Sequence, residues 1–245
     1  MNGSGRLSVV ISQPMYFPWP GFFEQMAVAD VYVWLDDVQF SKGSFTNRMQ
    51  AKLDDGRKWI SVALGGGGTM TKIIDLRPVS EGWTSSHREL LRQSFDSSPH
   101  RDLALSLFDL AVARSPLVEC LIASAEEPAK ALGVLPRRIL RSSRMGIGGR
   151  SWQRVLELTK AVGGTRYITA HGGADYLDHE AFEQQGVSVD YMDYSLTPWP
   201  QPHGGFTPYV TVLDLIAATG DEAGGFIHPR TLPWRAFLEA KRHPS

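Results

Sequence analysis

Val9-Val10-Ile11-Ser12-Gln13-Pro14-Met15-Tyr16-Phe17-Pro18-Trp19-Pro20-Gly21 opens the stretch that decides the fold, and Asp36-Asp37-Val38-Gln39-Phe40-Ser41-Lys42-Gly43-Ser44-Phe45-Thr46-Asn47-Arg48 closes it. Val9 to Ile11 is short and β-branched, Phe22 to Ala29 has helical apolar spacing, and Val31 to Leu35 is a second β-rich run. The order is strand, loop, helix, strand. In an open α/β sheet the loops at the carboxyl ends of parallel strands line the ligand crevice. The Gln13 loop and the loop from Asp36 to Arg48 are therefore expected to face one site.

The pattern repeats further along. Ile139-Leu140 reads as the end of a strand followed by Arg141-Ser142-Ser143-Arg144, a loop Met145-Gly146-Ile147-Gly148-Gly149-Arg150, and a helix from Ser151 to Val162. Ser142, Ser143 and the loop amides can hold an anion near the helix N-terminus, or serve as an N-cap and turn cluster. Tyr167 to Ala170 is a strand ending in His171-Gly172-Gly173, followed by a helix over 178–185 and a strand over 187–191. This alternation predicts an α/β fold with a Rossmann-like, doubly wound, mostly parallel sheet. Other expected elements are a hairpin of 49–52 and 58–64 about Asp54-Asp55-Gly56, a flexible loop at Gly65 to Gly68, and a strand at Ile73 to Leu76. A helical subregion at about 83–135, broken by Pro128, belongs to a single domain spanning 1–245. Pro198 to Phe206 is too proline-rich for regular structure and is expected to lie over the sheet edge. A helix at Val210 to Ala218 with Asp214 packs it down.

Composition narrows the function classes. The net charge of −1 with both signs interspersed argues against extended nucleic-acid binding. Cys120 is the single cysteine and sits in an apolar run, so a buried thiol and a reducing cytoplasm are expected. No 18-residue apolar segment occurs, which predicts no membrane helix. Met1 to Leu7 is Gly/Ser-rich without a secretory apolar region. The histidines and acids lack compact ligand spacing, so no metal site is expected. His87 and His100 read as surface or cap residues. His171 stands apart because it ends a strand beside two glycines, where a neutral imidazole can act as general base.

Ser12-Gln13-Pro14, Pro18-Trp19, Gly21-Phe22-Phe23, Ala29-Asp30, Asp36-Asp37-Val38-Gln39-Phe40, Asn47-Arg48, Phe206-Thr207-Pro208 and Leu213-Asp214-Leu215 together resemble the WbqC-like family over about 9–220. That resemblance implies biosynthesis of bacterial surface polysaccharides or natural products, in the company of aminotransferases and acyl carrier proteins. A looser similarity is to the nucleotidylyltransferase superfold, especially pantothenate synthetases. Its His-x-Gly-His motif is missing, because Pro18-Trp19-Pro20-Gly21-Phe22-Phe23 occupies that region. Loss of those imidazoles weakens the case for ATP activation.

The leading expectation is a transferase that forms an amide by acyl or aminoacyl transfer from an activated thioester to an amino sugar or other small amine. His171 is its candidate base, with Asp36 and Asp37 binding the ammonium or acting as turn and cap residues. Gln13, Asn47 and Arg48 are expected to hold the carbonyl or acceptor, and Tyr16, Trp19, Gln39, Lys42, Ser142, Ser143 and His203 complete the binding set. This reading requires no cofactor. Its partners are a small-molecule substrate and an acyl or aminoacyl carrier protein. The alternative is an ATP-dependent amide ligase or nucleotidyltransferase, with Arg141 to Arg150 on phosphate and Mg2+ on Asp36 or Asp37. A third reading is a noncatalytic carrier-protein or ligand-binding module.

Overall fold

The computed structural model describes residues 6–65 and 70–242. Its first half contains β1 (Ser8–Ser12), α1 (Pro20–Ala27), β2 (Val31–Trp34), β3 (Arg48–Leu53), β4 (Gly56–Ser61), α2 (Trp83–Ser94), α3 (Arg101–Val112) and α4 (Leu117–Ala131). The second half adds β5 (Arg138–Arg141), α5 (Ser151–Ala161), β6 (Arg166–Thr169), α6 (His179–Gln184), β7 (Ser188–Met192), α7 (Val212–Thr219), β8 (Thr231–Pro233) and α8 (Trp234–Arg242).

Six strands form one sheet in the order β5-β2-β1-β6-β7-β8, while β3 and β4 make a separate hairpin. The first five of the six are parallel. β8 runs antiparallel to β7 and closes that edge. Alternation along the strands feeds two cores. Val10, Tyr32, Trp34 and Ile168 face a cluster built with α1, α3, α4 and α7, whereas Val9, Ile11, Val31, Val33 and Tyr167 face one built with α5, α6 and α8. Chain order reverses at β1, with β2 and β5 on one side and β6 and β7 on the other. Right-handed crossovers in opposite directions place helices on opposite faces, which is the doubly wound, Rossmann-like arrangement. The gap between the loops after β1 and β6 is its topological switch point.

Several local expectations fail for identifiable reasons. Ile73–Asp75 is a 3-10 turn instead of a strand. Its amides are used up beside the loop after β2, Ile73 donating to Val38 and Ile74 to Asp36. α4 continues through Pro128 without a break, because the proline is buried against its neighbours and the packing offsets the missing backbone donor. His87 is a core residue at 6% exposure, held by the Tyr16 hydroxyl at 3.0 Å. Burial lowers its pKa to about 4, so the ring stays neutral. β8 and α8 lie beyond any element read from the sequence. The Gly65 to Gly68 loop falls largely outside the described residues, as do Met1 to Gly5. Cys120 is buried, and desolvation pushes its thiol up to about 12, which makes it inert.

The segment between β7 and α7 forms a strap over α1 and the hairpin. Lys52 reaches into it, donating to Gln201, Gly204 and Gly205. Trp199 donates its indole N–H to Asp214 at 2.7 Å and Ser195 donates to Glu24 at 2.7 Å. Among the described residues, no helix is long and apolar enough to cross a membrane.

Candidate functional site

The loops that leave the carboxyl ends of β1, β2, β5 and β6 enclose a cleft of about 670 Å³ at the switch point. Gln13 comes from the first loop, Asp37, Val38 and Gln39 from the second, Ile147 to Ser151 from the third, and Tyr176 from the fourth. Lys72 joins them because Gln39 and Lys72 pair as an isolated antiparallel bridge. Cleft position thus follows from sheet order, and its residues come from five separate places in the chain.

Two adjacent carboxylates sit beneath this cleft in different roles. Asp36 is fully buried and accepts from Arg141 Nε at 2.8 Å, Ser143 N at 3.0 Å, Ser143 Oγ at 2.8 Å and Ser142 Oγ at 3.2 Å. It pins the end of β2 to the end of β5. Arg141 also pairs with Glu119 on α4. Asp37 faces the cleft and is clamped by Arg154, whose NH2 donates to both its oxygens at 2.8 and 2.7 Å, and by Ser142 at 2.5 Å. Burial raises the Asp37 carboxyl, but hydrogen bonds from Arg154 and Ser142 and the Arg154 charge outweigh it and hold it below the usual carboxylate range. Arg154 also donates to the Ile147 carbonyl, so the same guanidinium latches the glycine loop. The two aspartates do not suit a divalent cation, since Asp36 is sealed from solvent and both Asp37 oxygens already accept from a guanidinium.

The open wall of the cleft is positive. Lys72 and Arg150 line it, and neither makes an ion pair among the described residues. α5 begins there after Gly149 at φ +103°, with no side chain capping its first amides. Uncapped amides and the helix dipole favour an anion at this end. The equivalent end of α1 is closed. A Cβ on Gly21 would stand 2.1 Å from the Trp19 ring, so the indole lies across the first turn and the glycine makes room for it. Gln13 presents an amide with no hydrogen-bond partner among the described residues.

Of the residues singled out in the sequence, Gln13, Asp37 and Gln39 line the cleft. Asp36, Ser142 and Ser143 form its scaffold. His171 is absent from the lining. Its Nε2 donates to the Met192 carbonyl at 2.9 Å, and its ring packs against Tyr194 and Phe237. Because a carbonyl can only accept, Nε2 carries a proton. Tyr16 is buried on His87, and Trp19 packs on Tyr194 and Tyr209. Asn47 holds the Val62 carbonyl at 2.9 Å, and Arg48 stacks over Trp59 while donating to Gly43. Lys42 is exposed on the loop before β3, and His203 donates to Asp54 at 2.5 Å beside the hairpin turn. Lys72, Arg154 and Tyr176 are the cleft residues that sequence reasoning missed. No local motif marks any of them, because each is brought in by tertiary pairing.

The profile of the WbqC-like protein family matches residues 13–225. A protein of Mycobacterium tuberculosis (strain ATCC 25618 / H37Rv), described as uncharacterized protein Rv1507c, is 28% identical over 235 residues, covering 89% of this chain and 96% of that one. No solved structure matches.

Proposed function

The chain belongs to the WbqC-like protein family, and we propose that it is a biosynthetic enzyme forming an amide on a small molecule with the help of a phosphate-bearing co-substrate. One observation carries this reading: the switch-point cleft gathers two cations without an ion pair among the described residues and an uncapped helix end, and no imidazole lines it. Such a surface stabilises phosphate charge through an ammonium, a guanidinium and backbone amides, in place of the imidazoles of the missing His-x-Gly-His motif, and the one carboxylate that faces it, Asp37, is already clamped by Arg154. ATP-dependent ligation or nucleotidyl transfer is therefore the better supported chemistry. Opening a phosphoanhydride transfers a phosphoryl or nucleotidyl group to the acyl carboxylate and releases ADP or pyrophosphate. Attack by the neutral amine then forms the C–N bond, expels phosphate or AMP, and gives its N–H proton to the departing phosphate oxygen or to solvent. Lys72, Arg150 and the α5 amides hold the phosphates, while the Gln13 amide orients the acyl carbonyl.

Acyl or aminoacyl transfer from a thioester to an amino sugar or other amine is the second reading. It is favoured by Nδ1 of His171, which has no partner among the described residues and takes the ammonium proton if a substrate spans from the cleft to the β6 loop. Thermal-shift measurements separate the two. ATP at a hundredfold excess over its Kd stabilises a one-site binder by about 2.7 kcal/mol. Lys72→Ala with Arg150→Ala abolishes that gain. No shift with ATP but a clear one with an acyl-coenzyme A supports the thioester reading, and no shift with either leaves a binding module.

A further inference from the structure

A second cavity of about 450 Å³ lies against α4, β5 and the Arg141 to Met145 loop and shares no lining residue with the cleft. Trp34, Ile122 and Met145 supply apolar walls, and Glu126 and Arg144 bring opposite charges to the same space. The other ionic pair at its margin, Glu119 with Arg141, is already closed on itself and on Asp36. Glu126 and Arg144 are different. Glu126 accepts one hydrogen bond, from the Trp34 indole at 2.9 Å, and forms no salt bridge among the described residues. Arg144 is exposed and makes neither hydrogen bond nor ion pair among the described residues.

We infer that this cavity binds a free amino acid with an apolar side chain, its ammonium on Glu126, its carboxylate on Arg144 and its side chain against Ile122 and Met145. A half-buried carboxylate beside an indole and aliphatic walls is costly without a cation, and an ammonium supplies one. The guanidinium offers a fork that matches a carboxylate. One ligand class satisfies both free charges at once, and that class is zwitterionic. Burial is the largest influence on Glu126 and, with the Glu127 charge, pushes its carboxyl above the usual range, only partly offset by the Trp34 hydrogen bond and the Lys130 and Arg141 charges. A bound ammonium reverses that displacement. Nothing in this assignment rests on the amide-forming reading of the cleft, although Arg141 ties the two spaces together through Asp36.

Isothermal titration of the full chain with L-leucine and L-phenylalanine tests it without any turnover assay. Saturable 1:1 binding is expected, with phenethylamine and 3-phenylpropanoate, which each lack one of the two charges, weaker by about tenfold or more. Glu126→Gln keeps an acceptor for Trp34 and removes the charge. Arg144→Ala changes an exposed side chain. Each is expected to weaken L-phenylalanine by about tenfold at unchanged melting temperature. Absence of binding at millimolar amino acid overturns the assignment. Equal binding of the single-charge analogues, or unchanged affinity in both variants, also overturns it.

Discussion

The acids of the cleft, Asp36 buried and Asp37 partly exposed, and the buried acids beneath the strap are treated in opposite ways. Asp36 and Asp37 receive guanidinium, hydroxyl and amide donors on both oxygens. Glu24 and Asp214 each have one oxygen held by the strap and one, Oε2 and Oδ2, buried without a hydrogen-bond partner among the described residues. Burial, the largest influence, pushes Asp214 up to about 6 despite the Trp199 hydrogen bond and the Lys52 charge. The difference teaches that low exposure alone says little about a carboxylate. What counts is whether the fold surrounds it with donors, and of these two regions the cleft does so.

The hardest test of that contrast is Asp36→Ala, which strands Arg141 and the Ser143 amide in the interior. Removing one partner of a buried ion pair costs about 3–5 kcal/mol, so urea denaturation is expected to show a loss of that size. A loss below about 1 kcal/mol would sink the scaffold role. Under the strap the sign reverses. An acid whose folded pKa is raised is penalised above that value and relieved as pH falls toward its unfolded value, so the penalty runs from about 6 down to 3.8. Asp214→Asn keeps the acceptor for Trp199 and is expected to stabilise the protein at pH 8 by up to about 3 kcal/mol, with no gain at pH 3.5. Equal stabilisation at both pH values would show that charge is not the cause.

Arg154→Met sharpens the cleft side. It removes the clamp on Asp37 and the latch on Ile147, at a cost of about 2 kcal/mol at pH 7. Because Asp37 is depressed in the fold, its contribution is present above the usual carboxylate pKa and fades as pH falls through the folded value. The wild-type advantage over Arg154→Met is therefore expected to shrink in acid. The smallest expected effect on stability belongs to His171→Ala, about 1 kcal/mol for one hydrogen bond to Met192. Under the thioester reading the same variant slows amide formation by about 100-fold to 10,000-fold, whereas under the ATP reading turnover per folded molecule stays near wild type.

The sheet was legible because Val9 to Ile11, Val31 to Leu35 and Tyr167 to Ala170 are short β-branched or aromatic runs, each followed by a polar turn. Loops after such strands must gather at one edge, so Gln13, Asp37 and Gln39 were found together from order alone. The roles within that edge were not legible. Asp36 and Asp37 are neighbours in sequence, yet one points into the sheet end and the other into the cleft, a difference set by where Arg141 and Arg154 arrive. His171 looked free because its partner, the Met192 carbonyl, is a backbone group on the next strand. Ile73–Asp75 carried strand-forming residues whose hydrogen bonds were claimed by the loop after β2.

Both outer strands of the six-stranded sheet are short. β5 has four residues with arginine at each end, and β8 has three residues and ends in Pro233, which has no amide proton to give. Neither offers the long, flat ladder on which another chain grows by strand addition, and the arginines set charge against such stacking. Strand addition at either edge of this sheet is therefore disfavoured, and concentrated solutions are expected to resist fibrillar association along it.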